Sequence, residues 1–414
     1  MIADTRLARS RRYPRSIVKI VEAEIYDASP AGNAQGLSLV LLRLRTDNGI
    51  DGLGEVALAY GTGSAAGSAM LRQLVERYII GADPTRIEQL WQRMLRETFW
   101  GLGGGPVVYG GMSAIDVALW DIKGKMLGVP VYELLGGKVR DRVRLYANGW
   151  SNLAGPDGRP QICTPQEYAQ GVRRVLDDGY GALKFDPFYI SADRRRWTPS
   201  PVLDKVAMDL AEARVQAVRE AAGPDVEICI EVHGVLGVTS AIEMGRRLVP
   251  YRPMFYEEPV HALNVDAMLK VARNVPIAIA AGERLYTRFG FRQYVERQAL
   301  DIVQPDISLA GGLTEAKKIS DYADVYGIHV QPHLCAGPVH TAACIQLDAC
   351  IPNFIIQEWR PYAGDLLLDL VNEPLDGRAE GGYVAVPDTP GLGVTLNEAA
   401  ASEHPCVRIG VRDV

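Results

Sequence analysis

The sequence predicts an α/β chain in which a parallel βα barrel follows a smaller α+β unit. Three observations carry that expectation. Short apolar runs alternate with helix-length segments eight times from about Val143 onward, a pattern that suits a closed parallel sheet. An ionisable residue recurs at the end of each later run. The first third shows hairpin signals and a helical period instead.

Met1–Arg15 holds Arg6, Arg9, Arg11, Arg12 and Arg15 with no apolar segment behind them, so residues 1–15 read as a flexible basic tail. Ile17–Tyr26 alternates like a strand, Ser38–Arg45 follows, and Asp47-Asn48-Gly49 leads to a return strand ending at Glu55. The Asn-Gly step predicts a type I′ hairpin turn with positive φ at both central residues. Ser113 reads as the N-cap of a helix with apolar positions Ile115, Ala118, Leu119 and Ile122, closed by Gly128 and Pro130. Residues 16–140 are therefore expected to form the α+β unit.

The eight runs are Val143–Trp150, Ala182–Phe188, Glu227–Gly234, Pro253–Pro259, Ile277–Arg284, Ile302–Ser308, His329–Cys335 and Phe354–Arg360. They place a barrel over residues 141–360. Tyr189–Ser200, polar and Arg-rich, reads as a loop inserted over the barrel mouth. Past Tyr362 the alternation stops, and residues 361–414 are expected to pack back on the N-terminal unit.

Lys and Arg number 44 against 50 Asp and Glu, a net charge of −6. A nucleic-acid partner would want a basic face. No apolar run approaches the length of a membrane span. Cys163, Cys229, Cys335, Cys344, Cys350 and Cys406 form no C-x-x-C pair, which predicts reduced thiols and a cytoplasmic setting.

The charged residues at the run ends are Glu231, Glu257, Glu283, Asp306, His333 and Glu358, spaced 26, 26, 23, 27 and 25 apart. Each interval is one βα unit, so the six converge on the C-terminal mouth of a barrel, where barrel enzymes keep their active sites. Glu231, Glu257 and Glu283 make a hard all-oxygen set suited to Mg²⁺ and poorly suited to zinc. Glu257 and Glu258 are adjacent, and strand alternation alone allows either to face the mouth. His333 lies one strand after Asp306, which can hold its tautomer and support its charged form. His233 shares a strand face with Glu231 and is a candidate acid for a leaving group. His261 and His404 fall in surface segments, His340 in a helix, and His329 at the far end of a strand. Lys184 and Asp186 share a face too; the lysine either balances a bound carboxylate or pairs with Asp186.

These residues resemble the enolase superfamily, its mandelate-racemase subgroup, and within that the galactonate-dehydratase-like members. The likeness runs from about Ile17 to Arg360. It is carried by SAIDVALWDIKGKMLGVPVYELLGG (Ser113–Gly137), EVHG, FYEEPV, AAGERLYTRF, QPDISLAGGLTEA, QPHLCAGPVHTAAC and IIQEW. The resemblance implies a modified (β/α)7β TIM barrel with an α+β N-terminal capping domain. It implies Mg²⁺ held by Glu231, Glu257 and Glu283, a His333–Asp306 base pair, Glu358 hydrogen-bonded to an enediolate, and His233 as acid. It decides for Glu257 over Glu258.

The activity so implied is dehydration of a sugar acid, an aldonate or aldarate, to a 2-keto-3-deoxy acid. The partner is then a small acid sugar, in a homo-oligomer. Asp186, Arg284 and Trp359 are expected against the substrate, and the Gly-rich segments Pro30–Gly36 and Tyr60–Gly67 as specificity loops. The racemases carry a second lysine where this chain has Asp186, so a racemase or epimerase would have to pair His333 with Lys184. The dehydratases continue His-Gly-Arg where this chain has His233-Gly234-Val235. A metal-binding barrel without catalysis, acting as a sensor, is the reading from another class.

Overall fold

The computed structural model describes residues 18–28, 38–58, 63–153, 159–195, 200–362 and 367–411. The basic tail, the Pro30–Gly36 segment, residues 60–62 of the second Gly-rich segment and residues 196–199 of the Arg-rich insertion lie outside the described residues. β1 (Ile20–Ala28), β2 (Leu39–Thr46) and β3 (Asp51–Val56) form an antiparallel meander. The hairpin expected at Asp47-Asn48-Gly49 is present, but its turn type differs. Only Gly49 has positive φ (84°), and its N–H donates to the Thr46 carbonyl at 3.1 Å. Asp47 and Asn48 thus form an ordinary type I turn, and the glycine supplies the left-handed residue of a bulge after it.

Three helices cover this sheet: α1 (Ser64–Leu74), α2 (Ile87–Glu97) and α3 (Pro106–Leu127). Of the expected Tyr60–Gly67 loop, Gly63–Gly67 opens α1. Ser113 is not an N-cap. It lies inside α3, which starts at Gly105 and Pro106, and its hydroxyl donates back to the Tyr109 carbonyl at 2.6 Å. Apolar residues run on both sides of Ser113, so the helix extends upstream of it. β3 meets α3 at close range: a Cβ on Gly54 would sit 1.9 Å from the Ala114 carbonyl oxygen. Only glycine allows that approach.

After α4 (Val131–Leu134) the chain alternates: β4 (Arg142–Ala147), α5 (Pro165–Asp177), β5 (Ala182–Phe185), α6 (Lys205–Ala222), β6 (Glu227–Glu231), α7 (Val238–Leu248), β7 (Phe255–Glu257) and α8 (Val265–Ala272). It continues with β8 (Ile279–Ala281), α9 (Thr287–Glu296), β9 (Ile302–Val303), α10 (Gly312–Asp324), β10 (His329–Val330), α11 (Pro338–Cys350) and β11 (Gln357–Trp359). All eight expected runs supply a strand, each shorter than the run. The strands are parallel in the order β10-β9-β8-β7-β6-β5-β4-β11. A backbone bridge between Val330 and Phe354 joins the two ends of that order into a ring.

Tyr146, Ala182, Cys229, Phe255, Ala280, Ile302 and Ile356 fill the inside of this ring as one buried cluster. A second, larger apolar layer lies between the strands and the helices. The C-terminal stretch then divides. Its β12 (Val371–Asn372) pairs with β14 (Thr395–Leu396), and β13 (Tyr383–Ala385) runs antiparallel to β4 of the barrel. After the short α12 (Glu398–Ala401), β15 (Cys406–Gly410) pairs antiparallel with β1 of the N-terminal sheet. Among the described residues no helix is long and apolar enough to cross a membrane, and all six cysteines are unpaired.

The N-terminal unit meets the barrel through buried carboxylates set at helix starts. Asp116 of α3 accepts from the Thr314 N–H at 2.9 Å and the Thr314 hydroxyl at 2.5 Å, in the first turn of α10. Glu55 of β3 does the same for α11, accepting from the N–H groups of Gly337 (2.5 Å) and His340 (3.2 Å). Free N–H groups and the dipole favour an anion at each helix start. Burial pushes both carboxyls up to about 7.

Candidate active site

Strand register decides which side chains enter the mouth. Partners across a parallel ladder share a face, and faces alternate along each strand. Cys229 and Phe255 lie inside the barrel, so Glu231 and its ladder partner Glu257 do too, two residues further along. Tyr146 is inside and pairs with Glu358. Lys184 pairs with Cys229 and joins them. Glu283, Asp306, His333 and His233 follow the C-terminal ends of β8, β9, β10 and β6.

One ligand atom from each of Glu231, Glu257 and Glu283 lies within 4.8 Å of the others. The Lys184 ammonium stands among these acids, donating to Glu257 at 2.8 Å and Glu231 at 3.2 Å, with Glu358 at 3.5 Å. Lys184 and Asp186 do not pair with one another, since each is engaged elsewhere. Burial works against the charged lysine, but Glu257 and Glu358 outweigh it and raise it well above its ordinary value. Burial and the Glu231 charge push Glu257 up as well, far above the carboxylate range.

Glu257 Oε1 is buried without a hydrogen-bond partner among the described groups. An orphaned oxygen in a cluster of hard oxygen donors is what a divalent cation would satisfy, so these residues fit such an ion. Zinc fits poorly, because no imidazole or thiolate belongs to the set.

Two imidazole–carboxylate pairs flank the cluster. His333 Nδ1 lies 2.8 Å from Asp306 Oδ2, and its Nε2 faces Glu283 at 3.1 Å. Asp306 is fixed in turn by the Ser308 N–H at 2.9 Å. Burial disfavours the His333 cation, yet Glu283, Glu358 and Asp306 together raise it well above the usual imidazole value. On the other side His233 Nδ1 lies 2.8 Å from Asp186 Oδ2. The Phe188 and Tyr189 N–H groups hold Asp186 at 2.7 and 3.0 Å. Burial is again outweighed, here by Glu231 and Asp186, and His233 is pushed up to about 10. β6 and β10 stand four places apart in a ring of eight strands, so the two imidazoles face each other across the mouth.

Glu358 accepts from the Leu334 N–H at 2.9 Å and from the Asn148 amide at 2.5 Å. Burial opposes its charge, but Lys184 and His333 hold it below the ordinary carboxylate range. As an anion it can only accept hydrogen bonds. Arg284 sits at the rim and pairs with Glu258 and Glu283, while Glu258, next to inward-facing Glu257, falls on the other face of the strand. Trp359 does not reach the mouth. It is 1% exposed in the layer between strands and helices, because it follows Glu358 directly and strand alternation sends it outward.

Asn148 was not singled out by the sequence reading. It follows β4 as the glutamates follow their strands, so extending the ladder to uncharged polar residues would have found it. Glu55 and His340 give no such signal, since tertiary packing alone brings Glu55 to the turn that carries His340 and His340 to Asp306.

Residues 21–136 match the mandelate racemase/muconate lactonizing enzyme N-terminal domain, and residues 167–400 match the enolase C-terminal domain-like family. The D-galactonate dehydratase of Ralstonia nicotianae is 38% identical over 370 residues, spanning 88% of this chain and 90% of that protein. The D-galactonate dehydratase of Xanthomonas oryzae pv. oryzae is 36% identical over 396 residues, 94% and 95% of the two chains. A crystal structure of an enolase superfamily member from Salmonella Typhimurium superposes with a TM-score of 0.89 at 39% identity, covering 95% of this chain and 100% of that one. A mandelate racemase/muconate lactonizing enzyme from Jannaschia sp. gives 0.82 at 33% identity, covering 93% and 97%. With its barrel, its capping domain and three mouth glutamates in register, the chain belongs to the enolase superfamily, in the mandelate racemase and muconate lactonizing enzyme group.

Proposed function

We propose that this protein is a sugar-acid dehydratase, a hydro-lyase that removes water across C2 and C3 of a galactonate-like aldonate or aldarate. The product is a 2-keto-3-deoxy acid. The observation that carries this reading is the pair of imidazole–carboxylate dyads facing each other across one glutamate cluster. Elimination needs a base for the C2 proton and an acid for the C3 hydroxyl, and a barrel mouth with two such dyads offers both. The D-galactonate dehydratases aligned over most of the chain support the same substrate class.

Glu231, Glu257 and Glu283 would hold Mg²⁺, the hard cation their oxygens suit. When bound, the ion supplies Lewis-acid relief of negative charge on the substrate carboxylate. Lys184 adds a fixed ammonium beside the same glutamates. His333 takes the C2 proton on Nε2 while Asp306 holds Nδ1, fixing the tautomer and supporting the imidazolium. Glu358, an acceptor at 3.9 Å from His333 Nε2, steadies that positive charge and keeps Asn148 in place. His233, its Nδ1 held by Asp186, gives a proton from Nε2 to the departing C3 hydroxyl. The C2–H and C3–O bonds break, a C2=C3 bond forms, water leaves, and the resulting enol tautomerises to the ketone.

A racemase would need a neutral base on the second face. Lys184 is placed poorly for that role, since its ammonium donates to Glu257 at 2.8 Å and Glu231 at 3.2 Å. The test is a panel of stereoisomeric aldonates and aldarates with Mg²⁺, scored for 2-keto acids as semicarbazones. A keto product from a galactonate-type acid is expected. A deuterated epimer in D₂O, with no keto acid from any substrate, would replace the dehydratase reading with an epimerase.

A further inference from the structure

His340 is buried to 1% exposure in the first turn of α11. Among the described residues neither ring nitrogen has a hydrogen-bond partner within ordinary reach. Its Nε2 nevertheless lies 3.5 Å from Asp306 Oδ1. That carboxylate's other oxygen holds His333 Nδ1 at 2.8 Å. Burial lowers the His340 pKa, so the ring is neutral and offers one N–H. The backbone of the same turn is held from outside the barrel. Glu55 of β3 accepts from the N–H groups of Gly337 and His340. A carboxylate from the N-terminal unit therefore fixes the turn that carries His340, and His340 stands behind the dyad's aspartate.

We propose that His340 is a positioning residue for the Asp306–His333 pair and that Glu55 sets its place, so that docking of the N-terminal unit completes the base. The logic is geometric. An aspartate held on one oxygen by a single backbone N–H can still rotate about its side-chain torsions. The His340 ring, its Nε2 3.5 Å from that oxygen, limits the swing of the carboxylate plane and with it the line from Oδ2 to His333. Networks of this kind act as a unit. The proposal rests on His333 being the base, and its test includes a readout that does not need turnover.

The readout is the ¹⁵N signal of the His340 ring in full-length protein with Mg²⁺, compared between wild type and Glu55→Ala. A displaced His340 signal in the variant is expected. In turnover, His340→Phe and Glu55→Ala should each lower kcat about tenfold, the scale of one hydrogen bond to a charged group. KM should stay within about twofold, because neither residue touches substrate. His340→Gln places an amide N–H near the former Nε2 and should recover most of the rate. The double variant should be no slower than the worse single one, since both changes break one link.

An unmoved His340 signal in Glu55→Ala would overturn the proposal. So would a Gln variant as slow as the Phe variant, or effects that multiply in the double variant. Full activity in His333→Asn would instead refute the base assignment, while leaving the Glu55–His340 link to be read from the ring signal.

Discussion

The two imidazole–carboxylate pairs share one contact length, 2.8 Å, and little else. The His333 side chain is 13% exposed and its Nε2 points inward at Glu283. The His233 side chain is 43% exposed, and its backbone takes a left-handed φ of 56°. Asp186 is pinned by a loop that leads into the insertion, whereas Asp306 is backed by the packed start of α11. The same two residue types can thus serve opposite ends of one reaction. An enclosed ring beside the metal-type glutamates suits proton removal from a carbon next to a carboxylate. An open ring, reached from the mouth, suits delivery of a proton to a hydroxyl that leaves.

The glutamate arc belongs to both sides, so its loss should erase the difference between them. Chelation is expected to abolish dehydration and C2–H exchange together, and added Mg²⁺ to restore both. Activity that survives chelation would detach the arc from the chemistry. A smaller and one-sided effect is expected from His233→Asn, about 10²-fold on dehydration, within the range for one positioned acid. Asp186→Asn should cost roughly tenfold, because the partner amide still bonds Nδ1 but no longer supports the charged ring. An Asp186 variant slower than the His233 variant would mean that Asp186 does more than hold its partner.

Asp116 offers a control away from both pairs. Burial raises its carboxyl from 3.8 to about 7, so the folded state holds the proton more tightly than the unfolded chain. Its stabilising contribution is present at low pH and is lost as pH rises through about 7. Asp116→Asn cannot titrate. The wild-type advantage in Tm over the variant should therefore shrink by about 2–4 °C between mildly acidic and mildly basic buffer. Parallel curves would show that Asp116 does not change its charge on folding.

Much of this site was legible in the sequence because a parallel barrel repeats. One charged residue per βα unit, at intervals of 23 to 27, maps directly onto one side chain per strand end. The resemblance then chose Glu257 over Glu258, which alternation had left open; in the structure the ladder pairs Glu257 with inward-facing Glu231. What escaped was set by local exceptions or by tertiary contact. Trp359 was expected against the substrate, but strand parity sends it outward. Ser113 has the chemistry of a cap, but the helix runs through it. Asn148 carries no charge and fell below the ladder's notice. Lys184 was expected to pair with Asp186 or a ligand, and register places it among glutamates from other strands. His340 and Glu55 are 285 residues apart, and no spacing rule joins them.

The division of labour between the two imidazoles is tested most directly by C2–hydrogen exchange in D₂O on an acid substrate, followed in His333→Asn and His233→Asn. His233→Asn should go on exchanging the C2 proton while forming almost no keto acid. His333→Asn should do neither. Exchange that persists without His333, or stops without His233, would contradict the assignment of base and acid to opposite sides of the mouth.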